Sequence, residues 1–268
     1  MNLARVALVA ALVLPGCRRN LPALPPPTPV DVVEIQTILD ELVRAAESVR
    51  RYQGFVRIRG RGPEGGFSGR LVVVFERPHH LRVDLLGAFG STRWSAVTSA
   101  SGITVVFPGP KQYVREADSA DVVGRLLGVP LSSVEVMALL AGAGAPMDGS
   151  DGHDGSAIVA HRQGSVTTVR LGDGRRIELD EEAQIALVQT SRYRASYPSP
   201  WKRRGRHVPD TIVLETDTMH ATLSPEDVDV NVALASDAFV IEIPEGAERL
   251  RPSDVAGEAV FVVRQQQR

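Results

Sequence analysis

The sequence predicts a mainly β domain with a helix at its start and one helical interruption near its middle. Three observations carry that reading. Leu81, Val83 and Leu85 alternate with Arg82 and Asp84, the period of two expected of a strand with one buried face. Beyond Leu86-Gly87-Ala88-Phe89-Gly90-Ser91-Thr92 the alternation resumes at Trp94, Ala96 and Thr98, so the stretch reads as a hairpin. The same period recurs in short runs down the chain, and helical spacing appears in only two places.

The N-terminal stretch comes first. Arg5 precedes an apolar run from Val6 to Leu14, too short for a bilayer span but suited to a secretory signal. Leu14-Pro15-Gly16-Cys17 resembles the lipobox of bacterial lipoproteins, whose Cys is acylated and becomes the mature N-terminus. Residues 1–16 are therefore expected to be a signal peptide, and Cys17 the lipidation site. Arg18, rather than Asp, follows the Cys; by the enterobacterial sorting rule that resemblance implies the outer membrane. Pro22, Pro25, Pro26, Pro27 and Pro29 make residues 17–30 an extended tether.

A single domain is expected over 31–250, with a tail at 251–268. Asp31 opens a helix in which Ile35, Leu39, Leu42, Ala46 and Val49 form one apolar stripe, with Arg50 and Arg51 at its C-terminal end. From Phe55 the period becomes two. Leu71 to Phe75 is apolar on both faces and belongs deep in a sheet. Gly60, Gly62 and Gly65 match G-x-G-x-x-G, yet Pro63 and another strand follow where a dinucleotide site needs a helix. Ile103, Val105 and Phe107 form a further strand.

Residues 121–144 are the helical interruption. Val122, Val123, Leu126 and Leu127 make one short apolar helix; Ser132 and Glu135 form a capping box ahead of Val136, Met137, Leu139 and Leu140. Both pieces are too apolar for a surface, so they cover something, either as core or as a movable lid. Ala143 to Ser156 is a Gly/Asp loop whose Asp148, Asp151 and Asp154 fit no calcium motif. Strands resume at 166–171, 175–179, 185–194, 211–215 and 219–223, and a last one is expected at 239–243. Trp201, Lys202, Arg203 and Arg204 lie in a basic loop, read first as solvated and second as a contact for anionic headgroups.

Phe89 is the odd residue of the opening hairpin. A tip is normally solvated, so this Phe either folds back into the core or meets an apolar partner outside, with Leu86 and Ala88 beside it. Composition narrows the function. Hydrophobic residues at 43% and charged ones at 23% leave room for a sizeable core, and the net charge of −2 gives no support for nucleic-acid binding. A single Cys excludes an internal disulfide and any Cys-based zinc site. No P-loop, H-E-x-x-H, G-x-S-x-G or cysteine nucleophile is present. The strongest signals are apolar, so binding rather than catalysis is expected, with no cofactor.

Several motifs together resemble the LolA/LolB lipoprotein-localisation family, from about Ile35 to Gly246. Glu76-Arg77-Pro78-His79-His80-Leu81-Arg82 is similar to the family's Arg-Pro strand motif, and Leu85 to Thr92 to the protruding loop of LolB. Val123 to Gly142 is similar to its helical segment; 197–214 and 239–246 are similar to its closing strands. The ending looks like LolA, whereas the lipobox and tip look like LolB. The resemblance implies an incomplete barrel: a curved, open antiparallel sheet with helices plugging its mouth. It also implies a non-enzymatic lipoprotein on the periplasmic face of the outer membrane. Such a protein binds acyl chains and receives or inserts acylated lipoproteins, with a periplasmic LolA-like carrier as a partner. Phe89, Leu86 and Ala88 would touch membrane or cargo, and Arg77 would latch the helical lid. Val73, Phe75, Val83, Leu85, Leu126, Leu127, Met137 and Leu140 would line the cavity. Two alternatives stand beside this one: a carrier or sensor of another lipid or glycolipid, and a structural lipoprotein that binds a protein partner.

Overall fold

The computed structural model describes residues 25–63, 65–117, 131–145, 158–199 and 208–251. The expected helix at 121–128 and nearly all of the Gly/Asp loop lie outside them. So do Cys17, Leu126, Leu127, the basic residues Trp201 to Arg204, and the side chain of Ala88.

A short strand β1 (Thr28–Pro29) leads into α1 (Val32–Ser48). Asp31 caps that helix, its side chain accepting from Val33 N at 2.8 Å, and Ile35, Leu39 and Ala46 are buried along one stripe. The helix stops before the basic pair: Arg51 already belongs to a strand, where Glu76 takes its guanidinium at 2.7 Å. Asn231 closes the helix end instead, donating to Ser48 O at 2.7 Å and accepting from Arg50 N at 2.8 Å.

Six strands then follow as a meander: β2 (Arg51–Gly62), β3 (Gly65–Glu76), β4 (His80–Leu86), β5 (Thr92–Ser99), β6 (Gly102–Phe107) and β7 (Gln112–Glu116). Helix α2 (Ser133–Leu140) comes next. A second meander completes the sheet: β8 (Val159–Gln163), β9 (Val166–Arg170), β10 (Arg176–Leu179), β11 (Ile185–Gln189), β12 (Arg194–Ser196), β13 (Ile212–Glu215) and β14 (His220–Val230). β14 pairs antiparallel with β2 from His220↔Arg61 to Val230↔Tyr52, which joins the two meanders. With β15 (Glu248–Arg249) beside β7, the result is one 15-stranded sheet, curved and open rather than closed into a barrel.

The hairpin pairs Leu81 with Thr98, Val83 with Ala96 and Leu85 with Trp94, in the expected alternation. The rejected glycine motif sits in two strands, with no helix after it. Leu71, Val73 and Phe75 face the core, while Val72 and Val74 are half-buried on the other face.

Two expectations need correction. Residues 185–194 form two strands, not one, because Thr190 and Tyr193 close a turn: Thr190 N donates to Tyr193 O at 2.9 Å and Tyr193 N to Thr190 Oγ1 at 3.1 Å. Residues 239–243 are not a strand. Arg82 Nη1 donates to the carbonyls of Ala238 and Val240, at 3.2 Å each, and the Phe239 ring lies 5.2 Å from that of His80. Side-chain contacts hold this segment where a ladder was expected. The strands β1, β7, β8 and β15 went unread, each short or without clean alternation.

Candidate functional site

Helix α2 lies on the concave face of the sheet, and its ends are sealed internally. At its start Ser132 Oγ accepts from Glu135 N at 3.2 Å while Glu135 Oε2 accepts from Ser132 N at 2.7 Å, the expected capping box. At its end Ala143 N donates to Ala138 O at 2.9 Å and Gly142 N to Leu139 O at 3.1 Å. Gly142 has a φ of 83°, the left-handed turn of a Schellman motif. A helix of eight residues so closed can sit in an apolar setting, since few of its backbone groups lack a partner. Met137, Ala138, Leu139 and Leu140 are all buried.

Between this helix and the sheet is an apolar cavity of about 50 Å³. Its floor comes from β2 (Val56, Ile58), β3 (Leu71, Val73), β4 (Val83), β13 (Ile212, Leu214) and β14 (Ala221, Leu223). Its roof is Leu131, Val136, Leu139 and Leu140, and every lining residue is apolar. The floor follows from register: Val56 pairs with Leu71, Val73 with Val83, and Leu223 with both Ile58 and Ile212. Of the expected lining, Val73, Val83 and Leu140 are there. Phe75, Leu85 and Met137 are buried but do not line it: Phe75 stacks on Tyr52 with ring centroids 5.1 Å apart, and Leu85 leans over Gly69. Val56, Ile58, Ile212 and Leu214 were missed, although period two marks each of their strands.

Polar groups clamp the helix from both halves of the sheet. On the first half, Arg77 Nη2 donates to Met137 O at 3.4 Å and its Nε to Val49 O at 3.1 Å, tying α2 to the end of α1. On the second half, Tyr197 Oη donates to Leu139 O at 3.2 Å and Tyr193 Oη to Gly144 O at 3.0 Å, while Arg192 pairs with Glu135. Burial pushes the hydroxyl pKa of both tyrosines well above the usual phenol value. Gly144 is required where it stands: its φ is 75°, and a Cβ would meet Val188 Cγ2 at 2.3 Å. Nothing in the sequence singled out Arg192 or Tyr193, because the turn that presents them carries neither Gly nor Pro, and Tyr197 was read only as the start of a closing strand.

At the tip Phe89 does not fold back into the core. Its side chain is fully exposed, and its backbone takes φ 62° and ψ 19°, a left-handed conformation unusual for a bulky residue. Leu86 beside it is half-buried. The tip shares one end of the sheet with the Gly62↔Gly65 end of the β2–β3 pair and the turn at 216–219. Ser196 and Ile212, which bracket the basic Trp201 to Arg204, stand at strand ends on the opposite side. Among the described residues no group of three or more His, Cys, Asp or Glu is placed to hold a metal, and no helix is long and apolar enough to cross a membrane.

No family model and no curated protein sequence matches the chain. Solved structures do. A DUF1329 family protein from Desulfovibrio piger superposes with a TM-score of 0.51 at 10% identity, over 76% of this chain and 96% of that one. The fold is shared. A LolA superfamily protein from Nitrosomonas europaea gives 0.48 at 13% identity, over 76% and 97% of the two chains. A domain assigned to outer membrane lipoprotein sorting in Vibrio parahaemolyticus gives 0.49 at 11%, over 76% and 95%. At such identities the likeness is one of fold alone.

Proposed function

We propose that this chain is a lipid-anchored carrier on the periplasmic face of the outer membrane, which binds acyl chains beneath α2 and receives or inserts acylated lipoproteins. The observation that carries the reading is the wholly apolar cavity between a concave sheet and a buried helix. At about 50 Å³ it falls far below the several hundred Å³ of ordinary ligand sites, so a chain enters only as the helix shifts. Magnitudes allow that shift. Taking about a dozen methylenes out of water is worth roughly 10 kcal/mol. The four polar contacts on the helix and its following turn are worth about 1 kcal/mol each. A chain sliding beneath α2 replaces one apolar neighbour by another, so the helix side chains stay dry.

Within this proposal Arg77 is the latch, Phe89 touches bilayer or cargo, and Cys17 carries the anchor. The likeness of fold to LolA superfamily and lipoprotein-sorting proteins agrees with it. The test is mass spectrometry of lipids extracted from the purified protein, together with transfer of a labelled acylated lipoprotein to liposomes. Bound acyl lipid and transfer are expected, with faster entry of a fluorescent fatty acid in Arg77→Leu. Lipid without lipoprotein transfer would reassign the protein as a carrier of free lipid or glycolipid; no lipid and a tightly held protein partner would overturn the reading.

A further inference from the structure

We infer that the end of the sheet carrying Phe89 docks on a bilayer surface rich in anionic phospholipid headgroups, with Arg59, Arg61 and Arg93 supplying the attraction. The inference rests on the proposal that Phe89 enters the bilayer and adds the lipid it selects. Register places these residues together. Arg70 pairs with Arg57 on one side and with Leu86, the last residue before the tip, on the other. Two steps further along β2, Arg59 opposes Ser68, and Arg61 opposes Gly66. Both arginines therefore stand level with the tip on the outer face of the sheet, two strand spacings or about 10 Å away. Arg93 is at the foot of the tip, where a Cβ on Gly87 would lie 3.1 Å from its Cγ and Nε.

Their neighbours are satisfied, but these three are not. Glu226 takes both Arg57 and Arg70, at 2.8 and 3.6 Å, and Arg70 also covers the Phe55 ring at 3.9 Å. Glu215, at the same end of the sheet, takes Arg194 and His220 at 3.8 Å each. The side chains of Arg59, Arg61 and Arg93 are exposed and make no hydrogen bond or ion pair among the described residues. Among the described residues the acid left at this end is Asp217. A surplus of cations here stands against a chain whose net charge is −2.

The chemistry fits phosphate. A guanidinium presents a planar fork of donors that matches two phosphate oxygens at once. A basic residue at an anionic membrane surface strengthens binding about fivefold, so three together give on the order of a hundredfold. An apolar tip has no such preference among headgroups. Phe89 thus supplies insertion, and the arginines supply selection and salt dependence.

The experiment uses the chain from Arg18 onward, which retains every described element, with vesicles of phosphatidylcholine alone or mixed with phosphatidylglycerol. The wild-type chain should bind the mixed vesicles on the order of a hundredfold more tightly at low salt, and high salt should erase the difference. Arg59→Gln/Arg61→Gln/Arg93→Gln, folded by circular dichroism, should lose the difference yet keep the weak binding to phosphatidylcholine. Phe89→Glu should lose that weak binding. Equal affinity of the wild type for both vesicles, or undiminished selectivity in the triple variant, would overturn the inference. If Phe89→Glu alone is without effect, the arginines stand and the insertion reading falls. Capture of an acidic protein without vesicle binding would overturn both.

Discussion

Phe89 opposes stability where it stands. A bulky L-residue in the left-handed region costs roughly 1–2 kcal/mol, and full exposure returns no burial to offset it. Phe89→Gly should therefore raise the thermal midpoint of the domain while weakening its adhesion to vesicles; calorimetry and vesicle flotation on the same sample check both. A lower midpoint would mean that the ring packs against something in solution. The sequence placed this residue at a tip, since Gly87 and Gly90 bracket it and alternation stops on either side. It left the direction of the ring open, because nothing local decides between folding back and pointing out. Similarly, period two marked Val73 and Phe75 as sharing a face, but only the position of α2 decides that one lines the cavity and the other stacks on Tyr52.

At the scale of the element, α2 behaves as a sealed peg held by neighbours that lie far away in sequence. Its capping box was legible from Ser132 and Glu135 alone. The clamp of Arg192, Tyr193 and Tyr197 was not, because it depends on a turn that Thr190 closes with its side chain and on contacts across about fifty residues or more. Ser132→Ala should loosen the helix by about 1 kcal/mol, seen as faster amide exchange over 133–140 and quicker uptake of a fluorescent fatty acid. Unchanged exchange would show that the sheet contacts alone hold the helix. The tyrosines add a pH dependence of definite sign. Burial raises the pKa of Tyr52, Tyr193 and Tyr197 above the ordinary value near 10, so the folded state holds these protons more tightly than the unfolded chain. Their contribution is complete below pH ~10 and is lost as pH rises beyond it. The thermal midpoint should fall above that pH, and tyrosinate absorbance should appear together with loss of near-ultraviolet dichroism. Ionisation of all three in a domain still native by dichroism would contradict their burial.

Across the whole molecule, what was legible was whatever adjacent residues determine. Each meander is a run of hairpins, and most of their strands announced themselves through alternation and turns. The β14–β2 pairing that fuses the meanders has no turn of its own and joins residues more than 150 positions apart, so no local pattern reports it. The same pairing sets the tip at the end of the sheet opposite the strand ends that flank the basic loop, leaving two separate surfaces. Anchoring, too, is a property of the whole chain. Burying one Phe is worth about 1.5–3 kcal/mol, enough to dock a domain briefly but far short of holding it on a membrane. One acyl chain also binds only reversibly, so stable attachment needs a second signal such as another chain. In the proposal an acylated Cys17 supplies that attachment, and the proline-rich residues between it and β1, expected from the sequence to be extended, join the anchor to the domain. Cys17→Ser should therefore take up no labelled palmitate and should leave the membrane fraction on washing with salt, while Phe89→Glu remains bound through its anchor. Label retained in Cys17→Ser, or release of Phe89→Glu, would show that the division between anchor and tip is wrong.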